Sequence, residues 1–204
     1  YVHMGYHQKA LPLFLRAVEI TEVHSDKDPS SYGFSLSNLA DLYYRMGDYK
    51  RTLPLYLEAL KNTKKSLGVR HPSYGIQLNN LALLYQTMGE FKKALPLSIE
   101  ALDRIGKSLG KDHSEYGACL NTLALLYQKM GTYEKALPVA LETLENFEKS
   151  LGKGHSTYGA ALSNLAVLYQ KMGDFEKSLP LSLETLKNIG NSLGKDHPEY
   201  GTRL

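Results

Sequence analysis

Four histidines recur along the chain at a constant interval, and histidine is both a common zinc ligand and a common catalytic base. They are His71, His113, His155 and His197. A zinc ion needs its ligands within about 2.0–2.3 Å of one point, whereas side chains that recur once per repeat lie on the order of 10 Å apart, the spacing of packed helices. We therefore expect these histidines to cap helices, and the sequence predicts no metal and no cofactor.

A lone cysteine and a set of glutamates are the other candidates for catalysis. Cys119 lies six residues after His113, but no third group is available to orient a dyad and no other repeat has a counterpart. Every glycine belongs to the repeat pattern or ends a helix, so no phosphate-binding loop is predicted. Four glutamates recur on an outer helix face and are interpreted as surface charge: Glu58, Glu100, Glu142 and Glu184. The sequence thus predicts that the chain is not an enzyme.

The elements that carry these residues are copies of one segment, 42 residues long. MGDY, MGEF, MGTY and MGDF lie at 46–49, 88–91, 130–133 and 172–175, and MGYH lies at 4–7. Self-similarity at a fixed period indicates a solenoid in which each copy packs on its neighbours. We expect a single array over 1–204, a fragment of a longer protein, with partial copies at 1–29 and 198–204. The full copies, named repeats 1 to 4, are 30–71, 72–113, 114–155 and 156–197.

Each repeat contains two helices, called helix A and helix B, and repeat 2 shows both patterns. Helix A is predicted over 72–88, starting at Pro72 after a capping His71, with an apolar stripe of Leu78, Leu81, Ala82 and Tyr85 that Leu84 widens. Helix B is predicted over roughly 91–108, and its stripe contains Phe91, Ala94, Leu95, Ile99, Leu102 and Ile105.

The short connection between the helices explains the recurring glycine. Gly89 is placed where a left-handed residue ends helix A, and the next residue begins helix B. Three of the four residues at that position are good N-caps, namely Asp48, Thr132 and Asp174. A connection this short forces helices A and B to pack antiparallel. Proline recurs inside helix B, where it predicts a bend, at positions 54, 96, 138 and 180.

The phrase LxNLAxLYxxMGxYxxALPLxLExL, with small residues at 40/52, 82/94, 124/136 and 166/178, resembles the tetratricopeptide repeat (TPR). The period of 42 residues is longer than the common form, and is similar to that of kinesin light chains. It also resembles bacterial arrays that precede caspase-like protease domains of the CHAT type or follow nucleotide-binding switch domains. The resemblance implies an all-α fold, a right-handed α-solenoid of antiparallel helix pairs with about nine helices, whose concave side is lined by helix A.

The residues of helix A that point away from helix B are the candidate binding site. Amides and hydroxyls both donate and accept hydrogen bonds, which suits the backbone of an extended peptide. Two other interpretations stay open: the asparagines bond to a neighbouring helix, and Gln86, Gln128 and Gln170 are solvated surface. The candidate groove residues are Phe34, Ser37, Asn38, Asp41, Arg45, Ile76, Asn79, Asn80, Leu83, Gln86, Asn121, Thr122, Leu125, Gln128, Lys129, Ser163, Asn164, Val167, Gln170 and Lys171.

The leading hypothesis is a non-catalytic scaffold that binds a partner protein, through a peptide or a helix, in this groove. The alternative is a regulatory or sensor arm of a larger enzyme, such as a caspase-like protease or a nucleotide switch in the same parent chain. Net charge is +3 and the charged residues are interspersed, so a nucleic-acid partner is not expected. The sequence predicts no membrane span, and a lone cysteine favours a reducing compartment such as the cytoplasm.

Overall fold

The computed structural model describes residues 2–193, with side chains described from Tyr6 to Asn188. Over this range the chain forms nine helices and no strand. It divides after Ser108 into two compact units. The N-terminal unit contains α1 (Val2–Val23), α2 (Pro29–Arg45), α3 (Tyr49–Ser66), α4 (Pro72–Thr87) and α5 (Phe91–Ser108). The C-terminal unit contains α6 (Ser114–Lys129), α7 (Tyr133–Leu151), α8 (Ser156–Met172) and α9 (Phe175–Leu193).

The helices form the pairs that the repeat pattern predicts. Helices A of repeats 1 to 4 are α2, α4, α6 and α8, and each packs on the helix B that follows it, which is α3, α5, α7 or α9. Connections of only a few residues make each pair antiparallel. The all-α class and the solenoid of antiparallel helix pairs are confirmed. His197 and the partial copy at 198–204 lie outside the described residues.

The turn between helices A and B has the predicted geometry. Gly89 has φ +78°, a conformation that only glycine adopts without strain. Helix B then begins at the expected capping residue in two repeats: Asp48 accepts from the Arg51 backbone N–H at 3.1 Å, and Asp174 from that of Lys177 at 3.2 Å. The prediction for Thr132 is wrong in its chemistry, because its hydroxyl donates back to the Tyr127 carbonyl and caps no N–H group of α7.

The histidines cap helices A, as predicted. Nδ1 of His71 accepts from the Ser73 backbone N–H at 3.2 Å, and the equivalent bonds of His113 and His155 measure 3.1 and 3.2 Å. Helix α2 begins differently. There Asp28 accepts from the Ser31 N–H at 3.1 Å and from two serine hydroxyls, and these bonds lower its pKa to about 2.

Small residues let helices A and B approach closely. At the predicted contact pairs, Ala82 and Ala94 are fully buried, and Gly117 brings the backbone of α6 against α7. A Cβ at Gly117 would lie 2.6 Å from Cε1 of Phe147 and closer still to Oδ1 of Asn146. The Tyr-Gly pairs of the sequence therefore mark a place where the two helices of a repeat approach each other closely.

Two sequence-based expectations are wrong. Ile99 was expected in the buried stripe of helix B but is 49% exposed, because the apolar face of α5 is wider than the surface its neighbours cover. The MGYH copy at 4–7 was expected to form a turn, yet α1 runs without a break from Val2 to Val23. In that copy Tyr6 follows the glycine and supplies no capping oxygen for a new helix.

Helices B continue through their internal prolines, and the proline rings are exposed on the outer side of each helix. Within the described part of the chain, no helix has the length and apolar character needed to span a lipid bilayer.

Candidate partner-binding surface

The candidate groove residues form two rows on helices A with different surroundings. The packing row consists of positions 37 and 44 of α2 and the equivalent positions of the other helices A. Where another helix A follows in the same unit, the row faces that helix. The outer row follows i, i+4, i+7, i+11 along each helix A, so its members share one face of the helix. The outer row consists of Phe34, Asn38, Asp41 and Arg45 in α2, Ile76, Asn80, Leu83 and Thr87 in α4, Ala118, Thr122, Leu125 and Lys129 in α6, and Ala160, Asn164, Val167 and Lys171 in α8.

The packing row is largely withdrawn from solvent. In the N-terminal unit, Gln77 donates to Ser37 Oγ at 3.1 Å, and both side chains are buried. Gln86 and Gln128 are also buried, so the interpretation of these two glutamines as solvated surface is wrong. Gln170 is exposed. The row thus divides into buried Ser37, Gln86 and Gln128, half-buried Asn79, Asn121 and Ser163, and exposed Gln170.

The outer row of α2 is accessible and chemically mixed. Phe34 is 43% exposed, and Asn38 and Arg45 are exposed as well. Asp41 between them is half-buried and accepts a hydrogen bond from the Tyr56 hydroxyl of α3. Burial raises the pKa of Asp41, against the lowering influence of the Tyr56 hydrogen bond and of the Arg45 charge. A carboxyl group is therefore held partly out of water, on the same helix face as an exposed aromatic ring.

The outer row of α4 is more apolar. Ile76 and Leu83 are half-buried, and Asn80 lies between them. Among the described residues, neither Asn38 nor Asn80 has a recorded side-chain hydrogen bond, so both amides remain available to a ligand. The hydroxyls of Tyr44 and Thr87 are 2.9 Å apart and connect α2 to α4 beside this surface.

The C-terminal unit presents a different surface on α6 and α8. Asn164 donates to Asn121 at 3.1 Å, which fits the interpretation that asparagine bonds to a neighbouring helix A. Thr122 is buried and its hydroxyl donates to the Ala118 carbonyl within α6. Val167 is 40% exposed. Lys129 and Lys171 are exposed at equivalent positions, and neither forms an ion pair with any carboxylate in the described range.

A cavity of about 210 Å³ opens between α8 and α9 and continues the surface of the C-terminal unit. Its walls are small or polar, so it would accept an aliphatic side chain together with one or two hydrogen-bonding groups. The lining residues are Ser163, Ala166, Val167, Gln170, Ser182 and Thr185.

The groups that could do covalent or metal chemistry are engaged or buried. Cys119 is 1% exposed, and burial, with the Glu115 charge, raises the pKa of its thiol to about 12. A thiol in that state is a poor nucleophile at neutral pH. Within the described residues no three histidine, cysteine or carboxylate side chains cluster closely enough to hold a metal ion.

Three of the glutamates interpreted as surface charge accept a hydrogen bond from a tyrosine. Tyr32 donates to Glu58 at 3.0 Å, while the equivalent Tyr116–Glu142 and Tyr158–Glu184 pairs are 3.4 Å apart. Burial and the neighbouring carboxylate raise the pKa of Tyr32 to about 12. These pairs join the start of helix A to the middle of helix B, which is a structural role.

Comparison with known families identifies the family of this chain. Two tetratricopeptide repeat models match it, one over residues 31–97 and 76–149 and the other over 159–199. The chain belongs to the tetratricopeptide repeat family. A comparison with curated protein sequences gives no match.

Solved structures with the same fold include several tetratricopeptide repeat proteins. BtubC (BKLC) from P. vanneervenii is 23% identical, with a TM-score of 0.79 over 96% of this chain and 78% of that one. A putative kinesin light chain from Podosopora anserina, with nearly identical TPR-like repeats, is 24% identical, with a TM-score of 0.70 over 95% and 92%. At this identity the likeness establishes the fold. The similarity to kinesin light chains is therefore one of repeat architecture.

A third tetratricopeptide repeat structure belongs to a multidomain protein. The Signal Transduction ATPase with Numerous Domains (STAND) protein PH0952 from Pyrococcus horikoshii is described as having a tetratricopeptide repeat sensor. It is 24% identical, with a TM-score of 0.69, and the match covers 90% of this chain but 27% of that one.

Several contacts of this tetratricopeptide repeat chain were missed from sequence. The Tyr56 bond to Asp41 has no equivalent in the other repeats, so periodicity gives no signal for it. The tyrosine–glutamate pairs did leave a signal, because a tyrosine and a glutamate recur 26 residues apart. In such arrays, a contact between helices can therefore be sought as two residue types that recur at the same separation in successive repeats.

Proposed function

We propose that this chain is a protein-interaction module that binds an extended segment of a partner protein along the outer row of its helices A, without changing it chemically. The observation that carries this proposal is the pair of available amides in the N-terminal unit. Asn38 and Asn80 occupy equivalent positions on α2 and α4, and each is flanked by an accessible apolar side chain, Phe34 or Ile76. An extended peptide offers alternating donors and acceptors with side chains between them, which this arrangement complements.

The C-terminal unit supports the same function with a different preference. Its outer row combines apolar Leu125 and Val167 with Lys129 and Lys171 and contains no carboxylate. The outer row of the N-terminal unit carries both Asp41 and Arg45. A basic residue of a partner segment would therefore find a carboxylate in the N-terminal unit, whereas an acidic residue would find a cation in either unit.

The test uses short random peptides displayed on phage and selected on the purified wild-type protein. The affinity of a selected peptide is then measured for Asn38→Ala/Asn80→Ala. We expect about tenfold weaker binding, because two amide hydrogen bonds are lost. Asn62→Ala is the matched control, since Asn62 lies on helix B and donates to the Glu58 carbonyl of its own helix. Asn121 is a less suitable target because its replacement also removes the bond to Asn164. Equal affinity of the double variant and wild type would remove the outer row from the proposal.

A second candidate function is supported by the STAND neighbour with its repeat sensor. In that case the array would be the regulatory arm of a larger protein with a nucleotide-binding or caspase-like domain. The native protein should then be larger than this chain, and deletion of the array should change the basal activity of the attached domain. A native protein consisting of tetratricopeptide repeats alone would contradict this candidate.

A further inference from the structure

Helices B, and α1 in the partial copy, expose a large apolar residue at an equivalent position. Leu15, Leu57, Ile99, Leu141 and Leu183 are 41, 44, 49, 45 and 58% exposed. An exposed proline lies three residues before each of them, on the same helix face. The charged positions beside them differ in sign between the copies, as at position 61 and its equivalents, which are lysine, aspartate, glutamate and lysine. Retention of an apolar residue at this exposed position indicates a contact surface.

The charges around this apolar centre have opposite sign on two helices. The α3 stripe is defined as Lys50, Pro54, Leu57, Lys61 and Lys64, and the α7 stripe as Glu134, Pro138, Leu141, Glu145 and Glu148. Both follow i, i+4, i+7, i+11, i+14, a spacing that keeps all five side chains on one face. All ten residues are exposed. The equivalent stripes of α5 and α9 carry one charge of each sign, so only α3 and α7 match in this way within repeats 1 to 4.

The charges of the two stripes are free to meet a partner. None of the three α3 lysines forms an ion pair with another described residue. In the α7 stripe, Glu145 pairs with Lys149 at 2.6 Å and Glu148 with Lys153 at 3.3 Å, while Glu134 has no recorded pair. Those pairs are exposed, and such surface pairs contribute little, so they exchange readily for a better-placed cation.

We propose that a second copy of this chain docks here, with the α3 stripe of one copy packed on the α7 stripe of the other. Leu57 would face Leu141 at the centre, where proline and leucine exclude water. The outer charges, fourteen residues apart in each stripe, are separated by about 21 Å on both helices. Lys50 and Lys64 therefore reach glutamates in either helix direction. An apolar centre with a charged rim is the usual anatomy of a specific interface.

The first test is self-association measured by sedimentation velocity across concentration and salt. The wild-type chain should form a dimer or larger species at about 50 mM salt, and about 500 mM salt should weaken the association on the order of tenfold, since exposed charges are screened. A chain that stays monomeric at high micromolar concentration and low salt would overturn the proposal.

The decisive test uses two charge-reversed variants. The first, Lys50→Glu/Lys61→Glu/Lys64→Glu, makes both stripes acidic, and the second, Glu134→Lys/Glu145→Lys/Glu148→Lys, makes both basic. Each should lose self-association, whereas an equimolar mixture should recover it, because each stripe then meets its opposite. Association through any other surface would not respond in this way. Two folded variants that stay monomeric when mixed, or that still self-associate alone, would contradict the proposal.

Matched controls distinguish the effect of the stripes from that of net charge and from that of the acidic residues of α1. Lys9→Glu/Lys27→Glu/Arg70→Glu changes net charge as much as the α3 variant but lies off the stripe, and should leave association unchanged. Helix α1 carries Glu19 and Glu22 at equivalent positions, so Glu19→Lys/Glu22→Lys should also have no effect. If this α1 variant abolished association, α7 would not be the docking helix. Should a reversed variant fail to fold, the neutral set Lys50→Gln/Lys61→Gln/Lys64→Gln should still weaken association.

Discussion

Repeats 1 and 3, one in each unit, fill one equivalent place in the fold with different chemistry. In the N-terminal unit, Asp41 of α2 accepts a hydrogen bond from Tyr56 of α3, and both lie partly or fully out of water. In repeat 3 of the C-terminal unit the equivalent residues are Leu125 and Ala140, which are apolar, and in repeat 4 they are Val167 and Ser182. The backbone frame is shared, while the polarity beneath the outer row differs from repeat to repeat. Each unit can therefore carry its own ligand preference without any change in helix packing.

Repeats 1 and 3 also differ in how closely helix A packs on helix B. A Cβ at Gly33 of α2 would lie 3.3 Å from Thr63 Oγ1, at the end of a short side chain. At Gly117 of α6 the same atom would meet the ring of Phe147 at 2.6 Å and the amide of Asn146. That asparagine is fixed by its own bond to the Lys111 carbonyl at 2.5 Å. Neighbours that cannot move make the C-terminal pair less tolerant of added volume.

The largest expected effect tests this difference in closeness. Gly117→Ala should lower the free energy of unfolding by about 2–3 kcal/mol, because the added methyl group overpacks the contact with α7. Gly33→Ala is the matched control, and we expect it to be near neutral, since a small clash is offset by about 1 kcal/mol of better helix propensity. Chemical denaturation of both variants measures the two values. Equal losses of unfolding free energy in the two variants would show that helices A and B pack equally closely in repeats 1 and 3.

The second effect tests the buried polar pair. Tyr56→Phe leaves the half-buried Asp41 carboxylate without its donor and should lower the free energy of unfolding by about 1–3 kcal/mol near neutral pH. Removing the buried carboxylate together with its donor, with Asp41→Leu/Tyr56→Phe, should restore most of this loss, because no buried charge is then left without a partner. A Tyr56→Phe variant as stable as wild type would contradict the role assigned to the bond.

The sign of the pH dependence follows from the raised pKa of Asp41. A carboxyl group whose pKa is raised on folding supports the folded state below its unfolded pKa, and that support is lost as pH rises through the folded pKa. The hydrogen bond from Tyr56 lowers the pKa of Asp41. Its removal should raise this pKa further, so more of the free energy of unfolding is lost as pH rises. Denaturation across pH should therefore show a penalty for Tyr56→Phe that is large near neutral pH and small below about pH 4. A penalty that does not change with pH would mean that Asp41 is not involved.

The smallest effect compares the caps of two helices B. Asp48→Ala removes the side-chain oxygen that accepts from the Arg51 N–H and should lower the free energy of unfolding by about 1 kcal/mol. Thr132→Ala removes no such cap from α7 and should have the smaller effect. Thermal unfolding of the two variants gives the order. A reversed order would indicate that Thr132 caps α7 in solution.

Much of the fold could be predicted because the same residues recur in every copy. The glycine at the turn, the capping histidine and the buried alanines each serve a local requirement, so the sequence around them is sufficient. Ile99 shows the limit: the apolar stripe of helix B contains both packed and exposed members, and only the positions of neighbouring helices separate them. The candidate surface was harder to divide, because the burial of Gln86 and Gln128 depends on three-dimensional surroundings and not on residue type.

The most direct test of the two-row account measures peptide affinity and the free energy of unfolding on the same variants. Within the N-terminal unit, a change in the outer row should affect mainly peptide affinity, and a change in the packing row mainly the free energy of unfolding. Asn38→Ala/Asn80→Ala, in the outer row, should weaken binding by about tenfold with little loss of stability. Ser37→Ala, in the packing row, should lower stability by about 1 kcal/mol, because buried Gln77 loses its acceptor, and should leave binding unchanged. Loss of binding only in the Ser37 variant, or loss of stability only in the double variant, would contradict it.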